Sequence, residues 1–455
     1  MAARRQAVLG ALFVVLIAAL LTARGAFERM ASAQRAAGVQ APTFEVDPLW
    51  PRPLPNRWVL GQTIGVAVDA RDHVWIVHRG DASLNIMTEG ITTQGPAWTV
   101  TSDQPWLSLP GGSRAGIGTG ALVFQISDDA PRQPATGRLT VNVTGAATLK
   151  EPPSMCCKGA PPVLEFDREG NLVGHWGGPG AGYEWPATNH GITVDYKANV
   201  WIGGNDPKDA HIVKFTRQGT FLLQVGHPGK NAGSHDMQNF WRAAKVSVDP
   251  TTNEAYVADG YGNKRVVVID ADTGAFKRYW GAYGNRPDDT NLGPYDPEAP
   301  PAQQFRNPVH CAEISNDGFV YVCDRANNRI QVFTRAGAFV KEVVIAKHTR
   351  GDGAVWDIAF SRDPQQTFLF VADGRNERVH IVQRESLQLL TSFGAGGHQP
   401  GQFFGVHSIA TDSRGNLYTT ETYEGKRLQK FVYKGLGPVT TKDQGTLWPK
   451  ARQTP

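Results

Sequence analysis

The chain has 455 residues, 50 of them glycine and 30 proline, and a formal net charge of +4. With 41% hydrophobic and 19% charged residues it is not a disordered sequence, and its glycine and proline suit many short strands joined by turns. So small a positive excess leaves no basic footprint, which excludes nucleic acid as a partner.

At the N-terminus, Arg4-Arg5 precede an apolar run from Ala7 to Ala23, followed by Arg24. This pattern predicts a signal peptide or an uncleaved membrane anchor over residues 1–33, with Ala31-Ser32-Ala33 as the cleavage site. Either way the protein is exported, to the periplasm or the medium, and touches the membrane only through this segment.

Beyond it the chain repeats itself. The runs GVAVDARDHVWIVHRG from Gly65, GITVDYKANVWIGG from Gly191 and KVSVDPTTNEAYVADG from Lys245 share one plan. So do those that begin at His310, Trp356 and His407. Each is a strand of period two, a turn and a second strand, and a third strand follows most of them. Four antiparallel strands repeated six times predict an all-β fold, a six-bladed β-propeller. The last repeat runs out after three strands at Tyr433, so Thr43–Val46 is expected to supply the fourth and close the ring.

The propeller then occupies residues 43–85 and 149–436, with a tail over 437–455. Residues 86–148 interrupt the first blade between its second and third strands. Their text, with AWTVTSDQPWLSL, ALVFQISDDA and GRLTVNV, predicts a small β-sandwich around Trp98 and Trp106.

Only four cysteines are present, Cys156-Cys157 and the pair Cys311 and Cys323. An exported chain allows disulfides. Cys311 and Cys323 face each other across neighbouring strands if the hairpin loop has three residues; a bridge and two buried thiols are both open readings.

The chemistry is carried by histidines in phase. In a propeller the first strand of each blade lines the central channel. His190, His310 and His407 each stand just before that strand, in blades two, four and six. Alternate blades of six lie about a third of a turn apart, so the three imidazoles are expected to converge on the axis. Three neutral imidazoles with an open fourth position describe a catalytic zinc site. The intervening blades offer Ile64, Ala244 and Val355 or Trp356, which cannot ligate a metal, and His78 reads as a strand-end residue.

A second set sits where second strands leave the sheet on the same face: Arg79, Tyr261 and Arg325. A guanidinium is a planar fork for a carboxylate. A phenol, with a reference pKa of about 10, becomes a base only beside positive charge. Taken singly, each of the three also fits an ordinary strand-end turn.

The repeats resemble NHL repeats. From Phe44 to Lys434, less the insertion, the chain resembles the six-bladed propeller of the peptidyl-α-hydroxyglycine α-amidating lyase family. The resemblance rests on NHG at His190, VHC at His310 and VHS at His407. It also rests on HRGD at residues 78–81, on DGYGN at 259–263 without that family's cysteine, and on Asp324-Arg325 before NRIQ. It implies zinc on the three histidines, Tyr261 as catalytic base, and Arg79 and Arg325 as substrate-binding groups. It also implies a structural Ca2+ held partly by the backbone carbonyls of Val66 and Ile192. There the family's carboxylate is replaced by Ser408, a weaker ligand for a hard cation. The insertion resembles a BACON-type immunoglobulin-like module, whose ligand is expected to be a glycan or a protein unless it serves as a spacer.

The function expected is therefore a zinc-dependent lyase that cleaves a carbinolamide C–N bond. Its substrate would be a small molecule or peptide bearing a carboxylate, split into an amide and glyoxylate. Two alternatives stand beside it: a non-catalytic propeller binding protein or glycan, and a zinc hydrolase using the same site.

Overall fold

The computed structural model describes residues 38–80, 97–108, 115–117, 125–127, 131, 136–143, 157–445 and 448. The predicted leader over residues 1–33 lies outside them. Six four-stranded sheets stand around one axis. Their innermost strands are Thr63–Val68, Asn189–Val194, Ala243–Asp249, Val309–Ile314, Asp357–Phe360 and Val406–Thr411. Each of these strands contacts the next and the sixth contacts the first, so the ring is closed.

Within blades the sequence explains the turns. The aspartate that ends a first strand accepts backbone N–H groups across the tight turn: Arg71 and His73 on Asp69, Lys197 and Asn199 on Asp195, Arg414 and Asn416 on Asp412. Its second oxygen accepts from an aromatic group on the second strand. Trp75 donates to Asp69 at 3.0 Å, Trp201 to Asp195 at 2.9 Å and Tyr418 to Asp412 at 2.9 Å. The recurring acidic residue and the aromatic two places into the next strand are one device, which pins these three hairpins to their register.

The opposite end of the second strand has its own device. Asp259 and Asp324, both fully buried, take the arginine that opens the third strand: Arg265 at 2.8 Å and Arg329 at 2.7 Å. Each also takes an asparagine amide, from Asn263 or Asn327, and a backbone N–H from the connection that leads into its own blade, Trp241 or Arg306. The segments carrying Tyr261 and Arg325 are tied down between these bonds. Asp324→Ala takes the nearest carboxylate from the buried Arg329 guanidinium and leaves it Glu342 at 3.5 Å as its ion partner, with an expected loss of up to about 3–5 kcal/mol of unfolding free energy in urea. A loss below about 1 kcal/mol would show that Arg329 re-pairs elsewhere.

Ring closure is wider than the sequence indicated. Gln40–Asp47 pairs antiparallel with Leu428–Pro438, with a bulge between Pro42 and Phe44. The closing strand starts three residues before Thr43, and its partner runs five residues past Tyr433. Phe44 packs against Phe370, Phe393 and Tyr433. The tail then follows the outer strand of blade five, where Ser392 donates to Lys442 and Gln444 donates back to Ser392.

The interruption of blade one falls between Val74–His78 and Val163–Phe166, which pair as though contiguous, Val77 opposite Val163. In the described part of residues 86–148, Ala97–Ser102 pairs with Ala115–Ile117 and Leu139–Val143, and Leu107–Ser108 with Gln125–Ile126. Val100, Leu107 and Val141 are buried there. Trp106 lies against Gly137, while the side chain of Trp98 is outside the described residues. Cys311 and Cys323 stand opposite each other with Cα atoms 4.9 Å apart and form a disulfide.

Candidate metal centre

His190, His310 and His407 stand on the innermost strands of alternate blades, and the structure brings all three to the axis. Their ring centroids are 4.8–5.1 Å apart, and one ligand nitrogen from each lies within 4.8 Å of the others. All three are buried.

The hydrogen bonds orient the rings. His190 Nδ1 donates to the Ala244 carbonyl at 2.8 Å, and His310 Nδ1 to the Trp356 carbonyl. His407 Nδ1 meets the Ser408 hydroxyl at 3.3 Å, and that hydroxyl gives its own hydrogen to the Ile64 carbonyl. Each Nδ1 therefore carries the proton, which leaves each Nε2 with a bare lone pair for the axis. Burial, reinforced by the Arg79 charge, pushes His190 down to about 3. Burial, then Arg325, holds His310 well below the ordinary imidazole range, and burial, then the neighbouring imidazoles, holds His407 well below it. Three neutral imidazoles with inward lone pairs fit a transition-metal ion such as zinc.

The Tyr261 hydroxyl lies 3.1 Å from His190 Nε2 and 3.0 Å from His310 Nε2, and Arg325 Nη1 donates to it at 3.2 Å. Arg325 also bonds Asp352 through Nε at 2.9 Å and stacks over Trp356, its Cζ 4.3 Å from the ring centroid. Arg79 reaches the same region from blade one. It bonds the Asn189 carbonyl, Gln62 Oε1 and Asn205 Oδ1. All the side chains that the sequence singled out around the histidines thus share one end of the channel. His78 does not join them. It is wholly buried, accepting from Gly61 N–H at Nδ1 and donating from Nε2 to the Pro161 carbonyl.

Four contributors escaped the sequence reading. Asn205 and Tyr423 sit at second-strand ends of blades two and six, the phase already used for Arg79, and extending that phase to every blade would have found them. Trp356 was noted only as a residue that cannot ligate. Arg242 carried no signal at all: it precedes a first strand, with its Cζ 5.6 Å from the Tyr261 ring centroid.

The expected calcium ligands look different. Val66 and Ile192 lie on first strands as supposed, but an ammonium already stands in the channel. Lys245 Nζ is 2.9 Å from both oxygens of Asp357 and 2.8 Å from Glu313 Oε1. Burial alone would discharge it; the two carboxylates outweigh that and hold it protonated. Ser408, in place of a carboxylate, is occupied in orienting His407. This donor set does not suit calcium. Neither millimolar calcium nor a chelator selective for it is expected to move the melting temperature. A rise of several degrees with calcium would contradict this.

A second group with ligand geometry, Asp69, His73 and Glu165, is already bridged by the Arg217 guanidinium and forms an ion-pair link between blades.

Fold and site together define the class, a six-bladed β-propeller with a metal-competent histidine tripod on its axis. Residues 310–333 match the NHL repeat family. The chain is 32% identical over 177 residues to Peptidyl-glycine alpha-amidating monooxygenase B of Xenopus laevis, which covers 38% of this chain and 18% of that protein. It is 27% identical over 224 residues to NHL repeat-containing protein 3 of Mus musculus, which covers 47% of this chain and 54% of that protein. The matched segment thus spans under a fifth of the amidating enzyme's length. Among solved structures, that of a streptogramin B lyase is similar at a TM-score of 0.42 and 11% identity, covering 87% of this chain and 98% of that chain.

Proposed function

We propose that this chain is an exported zinc lyase that splits a carbinolamide, an N-acyl-α-hydroxyglycine or similar compound, into an amide and glyoxylate. The observation that carries the reading is the Tyr261 hydroxyl, held at 3.0–3.1 Å from two of three neutral imidazoles and bonded by a guanidinium. A zinc ion held by His190, His310 and His407 would act as a Lewis acid that makes the substrate hydroxyl more acidic.

The chain's own groups then have defined tasks. The Tyr261 oxygen, to which Arg325 Nη1 donates, takes the hydroxyl proton. As the carbinol oxygen forms its C=O bond, the C–N bond breaks and its electron pair leaves with the amide nitrogen. Tyr261 returns the proton to that nitrogen, so no oxidant or water is consumed. Arg325, stacked on Trp356 and tied to Asp352, stays in place throughout and needs no rearrangement as charge develops.

The similarity to an amidating enzyme supports this reading, as does the apolar run of residues 7–23 for export. The test is metal analysis of the purified protein with a glyoxylate assay on N-benzoyl-α-hydroxyglycine. About one zinc per chain and zinc-dependent glyoxylate release are expected. Bound zinc with no glyoxylate from any such carbinolamide would sink the lyase reading.

A further inference from the structure

The sequence pointed to Arg79 and Arg325 as the fork for the substrate's carboxylate, but in the structure every guanidinium nitrogen of both already has a protein partner. Arg79 gives Nε to the Asn189 carbonyl, Nη1 to Gln62 and Nη2 to Asn205. Arg325 gives Nε and Nη2 to Asp352 and Nη1 to the Tyr261 hydroxyl. A third guanidinium is placed differently. Arg242 bonds the Asn205 carbonyl through Nε at 2.6 Å, and its two terminal nitrogens have no hydrogen-bond partner among the described residues. It also lacks a carboxylate partner among them, whereas Arg325 has Asp352.

Its backbone is arranged for this. Arg242 has φ +63°, the left-handed region that a residue with a Cβ rarely adopts. Bonds on both sides hold it there: its N–H donates to the Asp209 carbonyl at 2.7 Å, and its own carbonyl accepts from the Tyr261 N–H at 3.2 Å. Strain held in this way beside a site is a sign of use. Asn205 couples the pair, its side chain gripping Arg79 and its backbone oxygen gripping Arg242. The side chain of Arg242 lies over the Tyr261 ring, only partly exposed. A half-buried cation without an anion invites one.

We propose that Arg242 is the residue that binds the substrate's carboxylate, its Nη1 and Nη2 forming the two-pronged contact, while Arg79 and Arg325 shape the site around it. The inference rests on the carbinolamide reading and narrows the substrate to compounds with a free carboxylate next to the carbinol carbon. A bidentate grip of this kind raises affinity without entering the bond-breaking step, so its loss appears mainly in KM.

The test uses hippurate, an N-acylglycine with no hydroxyl to cleave, and its neutral counterpart hippuramide, titrated calorimetrically into the zinc-loaded full chain. The parent is expected to bind hippurate at least tenfold more tightly than hippuramide. Arg242→Gln should weaken hippurate by about 10–100-fold and leave hippuramide unchanged, and Arg242→Lys should fall between. Zinc content and melting temperature report whether the variants are folded. Should Arg242→Gln not fold, Arg242→Lys and the parent's preference between the two ligands still decide the question. Equal affinity of folded Arg242→Gln and parent for hippurate, or no preference by the parent, overturns the assignment. Glyoxylate release separates this from the wider reading. Arg242-dependent hippurate binding without any turnover removes the lyase and keeps the anion site. Turnover by Arg242→Gln at the parental KM removes the anion site and keeps the lyase.

Discussion

Tyr261→Phe is expected to lower kcat for carbinolamide cleavage by about 10²–10⁴-fold, the range for a positioned acid–base group, with zinc content and melting temperature unchanged. The substitution is clean because the ring and the oxygen do different things. The ring lies between two guanidiniums, Arg242 and Arg325, each with its Cζ 5.6 Å from the centroid, and phenylalanine keeps that packing. Only the oxygen that meets His190, His310 and Arg325 is lost. KM should change by only a few-fold, since the phenol acts on a proton that moves in the transition state. A variant that keeps kcat within about threefold of the parent would assign the base to another group.

His310→Ala is expected to abolish metal binding and turnover together. Removing an outer partner of a metal-bound histidine already costs about 10–100-fold in affinity, and deleting the imidazole itself should exceed that range. The fold should survive. The strand's backbone pairing does not involve the ring, the disulfide next to it is unaffected, and the Trp356 carbonyl loses one partner at a cost of about 1–3 kcal/mol. Zinc content and glyoxylate release of the folded variant give the answer. Full occupancy with unchanged turnover would make the tripod a structural feature and favour a binding platform instead.

The tripod was readable because propeller symmetry converts a sequence offset into an angle: three histidines at one phase of alternate repeats must meet. Tyr261 and Arg325 were readable for a related reason, as each follows a second-strand aspartate whose bonds to Asn and Arg recur in the text. Arg242 was not, because its placement depends on the sign of one backbone angle at a non-glycine residue, which leaves no mark on composition or period. Lys245 was hidden differently. In the sequence it is one charged residue in an alternating strand, and only the axis shows that Asp357 and Glu313, from other blades, wait for it. The extra length of the closing strand lay in residues with no alternation to read, Gln40 to Pro42 and Gly435 to Pro438.

That closing strand sets the order in which the molecule can be finished. Thr43 bonds the carbonyl of Gly435, 392 positions further on, so this strand must wait for the chain to be made through the sixth blade before it has a place to dock. Until then Phe44 has no cover, and the faces of Phe370 and Phe393 that it later shields stay open to solvent. Translation halted anywhere before Leu428 therefore yields a product that no amount of time will latch shut, with a sticky edge at each end for quality control to recognise.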